Sequence, residues 1–302
     1  MNKKSLKILI VSLMTFIIFF GIYNIKKIKS LRTSNNLSYN ENYKSNIKYE
    51  NENSIEKVKA NKITKDRQFA GDIIYNTSYV PVLMYHSIDY EKGNELRVPK
   101  ELFKKHMQYL KDNGYTTITI NELYKFINDN KPIPRKSVVI TFDDGYKDNY
   151  INAYPILKEF GFKATIFVIT SNIDKDKRCL NSDEIKEMSK NGIDIESHTV
   201  NHDKLNELSY NKQLQTLKNS KGFLEGILNK KVEYIAYPYG LYNVDTLNAV
   251  KTAGYKLAFV TKSGWCIKNQ GIYTLHRVYI SANHTVNEFK RRLTNPEYYK
   301  SK

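Results

Sequence analysis

Cysteine is nearly absent: Cys179 and Cys266 are the only two in 302 residues. They lie on separate segments and form no Cys-x-x-Cys pair, which excludes a thiolate zinc module. A bridge between them stays open, but a chain with a core of this size needs no staple, and two free thiols are the expectation. Acidic residues are also in deficit, 31 against 48 basic, leaving a net charge of +17. Such a chain suits nucleic acid, anionic lipid or an anionic wall polymer. No Arg-rich helix or zinc-finger spacing accompanies the charge, so nucleic acid is not an expected partner and a cell-wall surface is preferred. The abundance of Lys, Asn, Ile and Tyr is equally what nucleotide bias in a genome would produce. There is no internal repeat.

One long apolar run stands out, Ile8 to Tyr23, with Lys3, Lys4 and Lys7 before it and Lys26, Lys27 and Lys29 after it. It is slightly short for a spanning helix, but Asn24-Ile25 extends it and the lysines can snorkel. No small-x-small cleavage site follows and no lipobox cysteine exists. Residues 1–29 therefore read as an uncleaved signal-anchor, with a cleaved signal peptide as the alternative. The first places the rest of the chain outside the cell on the membrane; the second secretes it. Residues 30–76 are polar, rich in Asn, Lys, Ser and Glu, and read as a flexible stalk. Residues 77–302 read as one folded domain.

Within that domain apolar strands and amphipathic helices alternate. Strands are expected at Val82 to Tyr85, Thr116 to Ile120, Val138 to Phe142, Ala164 to Ile169, Ile193 to Glu196, Val232 to Tyr237, Leu257 to Val260 and Tyr273 to Ile280. Helices are expected at Leu102 to Asn113, from an Asn121 cap to Asn130, Asn149 to Phe160, Ser182 to Lys190, Leu205 to Leu228, Val244 to Ala253 and Val286 to Leu293. This βα alternation predicts a parallel α/β architecture.

Two acidic and histidine clusters close such strands. Thr141-Phe142-Asp143-Asp144-Gly145 ends the β-branched run Ser137-Val138-Val139-Ile140. Ser197-His198-Thr199-Val200-Asn201-His202 ends Ile193-Asp194-Ile195-Glu196. An Asp-Asp-Gly alone is more often a turn, and a lone His-x3-His is weak. Placed together at the carboxyl ends of parallel strands, where such folds build their sites, they gain weight. One carboxylate with two imidazoles is a ligand set for a catalytic divalent metal, and the neighbouring Asp is left as a base.

These motifs, with Tyr237-Pro238-Tyr239-Gly240 as a third, resemble the polysaccharide deacetylases, the family 4 carbohydrate esterases with a NodB-type domain. The resemblance spans about residue 80 to about residue 280 in the family order. Pro81-Val82-Leu83-Met84-Tyr85-His86 resembles the subgroup of poly-N-acetylglucosamine deacetylases. The resemblance implies a distorted (β/α)7 barrel and hydrolysis of N-acetyl groups on a GlcNAc-containing polymer, either peptidoglycan or exopolysaccharide. It implies Asp144, His198 and His202 as metal ligands and Asp143 as general base. Zinc is the expected metal, with cobalt, nickel and manganese as alternatives. It also implies an oxyanion donor in the backbone N–H of Tyr239, with Tyr237, Pro238 and Trp265 lining the substrate groove.

The chain departs from the family at Ala236, where many members carry an Arg that orients the catalytic Asp. Arg277 is the candidate substitute, against the reading of a surface arginine at a strand end. The proton donor is open between His86 and His276, with a lean to His86. His276 sits in the family's last motif, but Thr274 stands where Leu is expected. Two further readings compete with an N-deacetylase: an inactive glycan-binding module, and a deacylase for a small amide or a xylan ester.

Overall fold

The computed structural model describes residues 67–300. Strands β2 (Val82–Tyr85), β5 (Ser137–Phe142), β6 (Ala164–Val168), β7 (Ile193–Ser197), β8 (Tyr234–Ala236), β9 (Leu257–Ser263) and β10 (Leu275–Tyr279) pair in parallel in the order β2-β10-β9-β8-β7-β6-β5. A further pairing of β2 with β5 closes the seven into a barrel, with Val82 opposite Val139 and Tyr85 opposite Phe142. The short β3 (Thr116–Thr117) adds to the outside edge of β5. The expected (β/α)7 barrel is therefore present.

Alternation along the strands sorts the core into two clusters. Leu83, Val138, Ile140, Ile166, Val168, Ile235, Ala258 and Val278 join the cluster that the helices cover. The intervening Val82, Val139, Phe167, Ala236, Phe259 and Leu275 form the second, inside the barrel. Strands buried on both faces read as continuous apolar runs, which is why β5 is buried at every position.

The helices lie between successive strands. Helix α1 (Lys100–Asp112) buries Phe103, His106, Met107 and Leu110, the spacing of a single helical face. Helix α2 (Ile120–Asp129) contributes Ile120, Leu123, Phe126 and Ile127 to the interior cluster, sealing the end of the barrel away from the motif loops. Its cap differs from the expected Asn121. Thr119 accepts from the Glu122 backbone N–H, and the Glu122 carboxylate accepts from the Thr119 N–H. That reciprocal box fixes the start two residues earlier and cuts the preceding strand to Thr116–Thr117. Helices α3 (Tyr154–Phe160), α4 (Ser182–Lys190), α5 (Tyr210–Leu228), α6 (Val244–Thr252) and α7 (Val286–Thr294) complete the set. A π-helical turn, Asn149–Ala153, leads into α3.

The packed region begins earlier than residue 77. Strand β1 (Ile73–Ile74) pairs antiparallel with β4 (Ile133–Pro134), a ribbon too short for alternation to reveal. Asn76 adds a side-chain bond to the Ile127 carbonyl at 3.1 Å. Cys179 and Cys266 are both free and buried. Among the described residues no helix is long and apolar enough to cross a membrane. The apolar run Ile8 to Tyr23 and most of the expected stalk lie outside the described residues.

Candidate active site

Asp143, Asp144, His198, His202 and Tyr239 all follow the carboxyl ends of barrel strands, on the first-motif, second-motif and third-motif loops. These loops are locally strained. Seven described non-glycine residues have positive φ, and four of them are Asp144 (72°), Thr199 (66°), His202 (59°) and Tyr239 (59°). Each such residue costs of order 1–3 kcal/mol, so their clustering marks a site that the surrounding fold holds in place. Gly145 (φ 72°) belongs to the same device: a Cβ there would lie 2.9 Å from Val168 Cγ1.

Asp144 Oδ1 lies 3.4 Å from His198 Nε2 and 3.4 Å from His202 Nε2. The ligand atoms of the three residues all fall within 4.8 Å of one another. Four-coordinate zinc with bonds of about 2.0–2.1 Å separates its ligands by about 3.3 Å, so the two measured edges fit a shared divalent ion. Asp144 Oδ1 is buried and has no hydrogen-bond partner, as expected of an oxygen reserved for a cation. His198 Nδ1 meets the Ala236 carbonyl at 2.8 Å, which places the proton on Nδ1 and turns the Nε2 lone pair toward Asp144. The electrostatics agree. Burial opposes charge on Asp144, but His198, His86 and His202 outweigh it and hold the carboxyl below the usual range. Burial likewise opposes protonation of His198, yet Asp144 and Asp143 raise its pKa. The pocket favours positive charge between these groups.

Asp143 is 2% exposed and forms a two-pronged pair with Arg277, which is wholly buried. Arg277 Nη1 donates to Asp143 Oδ1 at 2.7 Å and Nη2 to Oδ2 at 2.6 Å. Nη1 also reaches Thr141 Oγ1 at 3.2 Å, and Nε the Val260 carbonyl at 3.3 Å. Phe167 and Phe259 flank the guanidinium at 5.8 and 5.7 Å. Burial would raise the Asp143 pKa, but the Arg277 charge and hydrogen bonds bring it below the usual range. Arg277 is thus the partner of Asp143 that Ala236 does not provide, delivered from β10 rather than β8. Each carboxylate oxygen has a second lone pair, so Asp143 keeps acceptor capacity beyond the fork.

The two histidine candidates for proton donor differ in their surroundings. His86 follows β2, and the charges acting on it are those of Asp143, Asp144, Arg277 and His198. Burial lowers its pKa and the two carboxylates oppose that. His276 sits beside Arg277 on β10, and a one-residue step turns its side chain to the opposite face of the strand, away from the acidic cluster. Burial and Lys262 lower its pKa, with no contribution from the acidic cluster.

The three residues expected to line the groove are wholly or partly buried. Tyr237 is 0% exposed and Pro238 is buried, because the end of β8 turns the ring into the core. Trp265 packs on the helix-facing core and donates from its indole N–H to the Arg292 carbonyl at 2.7 Å. It does not line the cleft beside the acidic cluster. Tyr239 is the exposed member of the third motif, at 53%, with its ring 4.5 Å from that of His202.

That cleft has a volume of about 310 Å³, and Asp144, His202, Tyr146, Arg97 and Arg178 are among its walls. Tyr146 was not legible as a site residue. Burial, then the charge of Asp144 and a hydrogen bond to it, push the phenol up to about 12. Its position directly after Gly145 was the available signal.

Comparison with known proteins agrees with this geometry. The family profile described as "Polysaccharide deacetylase" matches residues 130–258. YxkH of Bacillus subtilis, whose name assigns it provisionally to the polysaccharide deacetylases, is 45% identical over 202 residues, covering 67% of this chain and 71% of that one. The poly-beta-1,6-N-acetyl-D-glucosamine N-deacetylase of Staphylococcus aureus is 34% identical over 200 residues, covering 61% of this chain and 68% of that one. Among solved structures, the Streptococcus pyogenes deacetylase PplD in complex with acetate superposes with a TM-score of 0.69 at 34% identity, covering 72% of this chain and all of that one. With both the sequence likeness and the barrel fold in agreement, the chain belongs to the polysaccharide deacetylase family, hydrolases that act on amide bonds.

Proposed function

We propose that the chain is a metal-dependent N-deacetylase of GlcNAc-containing cell-surface polysaccharide, acting on poly-β-1,6-GlcNAc or peptidoglycan. The observation that carries this reading is the convergence of Asp144, His198 and His202 within 4.8 Å beside the buried Asp143. The Staphylococcus aureus relative supports the first polymer. A binding module without activity would have no need for an ion-paired carboxylate next to a ligand set.

An acetamide is a poor electrophile with a poor leaving group, so its hydrolysis needs an activated water, stabilisation of an oxyanion and a proton for the amine. Asp144, His198 and His202 would hold a divalent ion, zinc first given the mixed N/O donors, which supplies a more acidic water and polarises the carbonyl. Asp143 takes the proton of the attacking water through a lone pair not used by Arg277. Arg277 keeps that carboxylate charged and oriented in a buried site. The Tyr239 backbone N–H donates to the oxyanion, and the positive φ of this residue sets its direction. His86 gives a proton to the nitrogen as the C–N bond breaks, releasing acetate and a free amine. Residues 1–29 anchor the enzyme to the membrane with the barrel outside the cell.

Acetate release by the purified protein tests the proposal, on poly-β-1,6-GlcNAc and on peptidoglycan, before and after chelation. Release from one polymer, lost on chelation and restored by zinc, is expected. No release from either polymer at any metal loading would reject it.

A further inference from the structure

The turn that carries His86 is fastened by a side-chain cluster that the chemistry above does not use. Asp148 Oδ2 accepts from the Ser87 hydroxyl at 2.7 Å, and Oδ1 accepts from the Ile88 backbone N–H at 2.6 Å. Asn149, wholly buried, donates from Nδ2 to the His86 carbonyl at 2.8 Å and to Asp148 Oδ1 at 3.1 Å. Asn152 donates from Nδ2 to the Ile88 carbonyl at 2.9 Å. From the other side, the Ser87 N–H bonds to the Leu96 carbonyl at 3.2 Å and the Val98 N–H to the Ser87 carbonyl at 3.0 Å. The three consecutive residues His86, Ser87 and Ile88 are therefore gripped at five backbone groups.

The grip comes from the far side of the first motif. Asp148 lies four residues after Asp144, and Asn149 and Asn152 sit on the π-helical turn, where Tyr154 N–H bonds to the Asn149 carbonyl. π-turns are uncommon and recur at functional sites. Asp148 is partly buried, and burial raises its pKa against the hydrogen bonds from Ser87 and Ile88. A half-buried carboxylate spent on one turn is an expensive fastener for a loop that other bonds already hold. The same segment thus supplies both the general base and the clamp on the residue facing it.

We propose that Asp148, seconded by Asn149, is a positioning residue that fixes His86 for proton transfer to the leaving amine. The inference rests on the assignment of His86 as proton donor. In that step the C–N bond breaks with its electron pair going to nitrogen, and the His86 ring N–H proton goes to the same nitrogen. A displacement of about 1 Å in a catalytic group can cost on the order of a hundredfold in rate.

The leaving group separates positioning from a structural role. Amide hydrolysis needs the proton; hydrolysis of 4-nitrophenyl acetate does not, because nitrophenolate departs unprotonated. Asp148→Ala, Asp148→Asn, His86→Ala and the wild type are compared, zinc-loaded, on β-1,6-GlcNAc oligomers and on 4-nitrophenyl acetate. Asp148→Ala should lower kcat on the oligomer by roughly tenfold to a hundredfold, leave KM within about twofold, and change ester turnover by less than about threefold. Asp148→Asn, which keeps one acceptor for the Ile88 N–H, should fall between. Should Asp148→Ala fail to fold, Asp148→Asn and Ser87→Ala carry the same comparison. Equal losses on amide and ester would make the cluster purely structural, and undiminished amide turnover would make it irrelevant; either overturns the inference. Full amide turnover by His86→Ala would instead strike at the proton-donor assignment itself.

Discussion

Arg277→Met is the most discriminating perturbation of the site. The substitution keeps an apolar stem of similar length between Phe167 and Phe259 and removes both prongs of the fork on Asp143. Asp143, 2% exposed, is left as a buried carboxylate without its cation. Breaking a buried ion pair from one side costs about 3–5 kcal/mol. In a domain of this size each kcal/mol lowers Tm by roughly 2–4 °C, so a fall of about 10 °C is expected. Asp143→Asn in the same background removes the stranded charge. Differential scanning calorimetry of the two single variants and the double variant should therefore show a coupling of about 2 kcal/mol, the double being more stable than the sum predicts. On the oligomer, Arg277→Met should lower kcat by roughly a hundredfold with metal content unchanged, since the base loses its orientation. Arg277→Lys restores the charge but not the planar fork, and should recover more stability than rate. A Tm within a degree or so of wild type, or strictly additive stabilities, would refute the view that this pair organises the base.

Asp143→Asn should abolish most acetate release while retaining metal by elemental analysis, and near wild-type turnover would remove it from the chemistry. His86→Ala should slow amide turnover by roughly a hundredfold or more, whereas His276→Ala, on the outer face of β10, should stay within about threefold; steady-state kinetics on folded protein gives the ranking. The full-length chain should fractionate with membranes and a chain starting near residue 68 should not; full-length protein found in the cytosol alone would end the signal-anchor reading.

The alternation of strands buried on both faces with helices buried on one announced a parallel α/β architecture, because each pattern has its own period; closure into a barrel was implied only by the family resemblance. Boundaries drifted where local chemistry overrode periodicity. The Thr119–Glu122 box moved the start of α2, and the two-residue ribbon β1–β4 is too short to carry any period. The Asp144, His198 and His202 cluster was legible because its members sit in short contiguous motifs. Arg277 could be named only as a candidate, since nothing local ties β10 to β5; closure of the barrel brings them together. Strand parity was the other feature that the motifs did not carry. Tyr237 and His276 stand next to functional positions in sequence, and one residue along a strand reverses the side chain. The clamp of Asp148 and Asn149 on the His86 turn spans some sixty residues of chain and left no sequence signal.

The central claim is tested most directly by titrating the metal-free domain with zinc while measuring acetate released from poly-β-1,6-GlcNAc and from peptidoglycan. Wild-type protein should reach full turnover on one of these polymers at one equivalent of zinc. Asp144→Ala, His198→Ala and His202→Ala should each bind zinc more weakly and fail to reach that turnover at one equivalent. Acetate release at the wild-type rate from metal-free protein, or stoichiometric zinc binding by a His198→Ala/His202→Ala double variant, would contradict it.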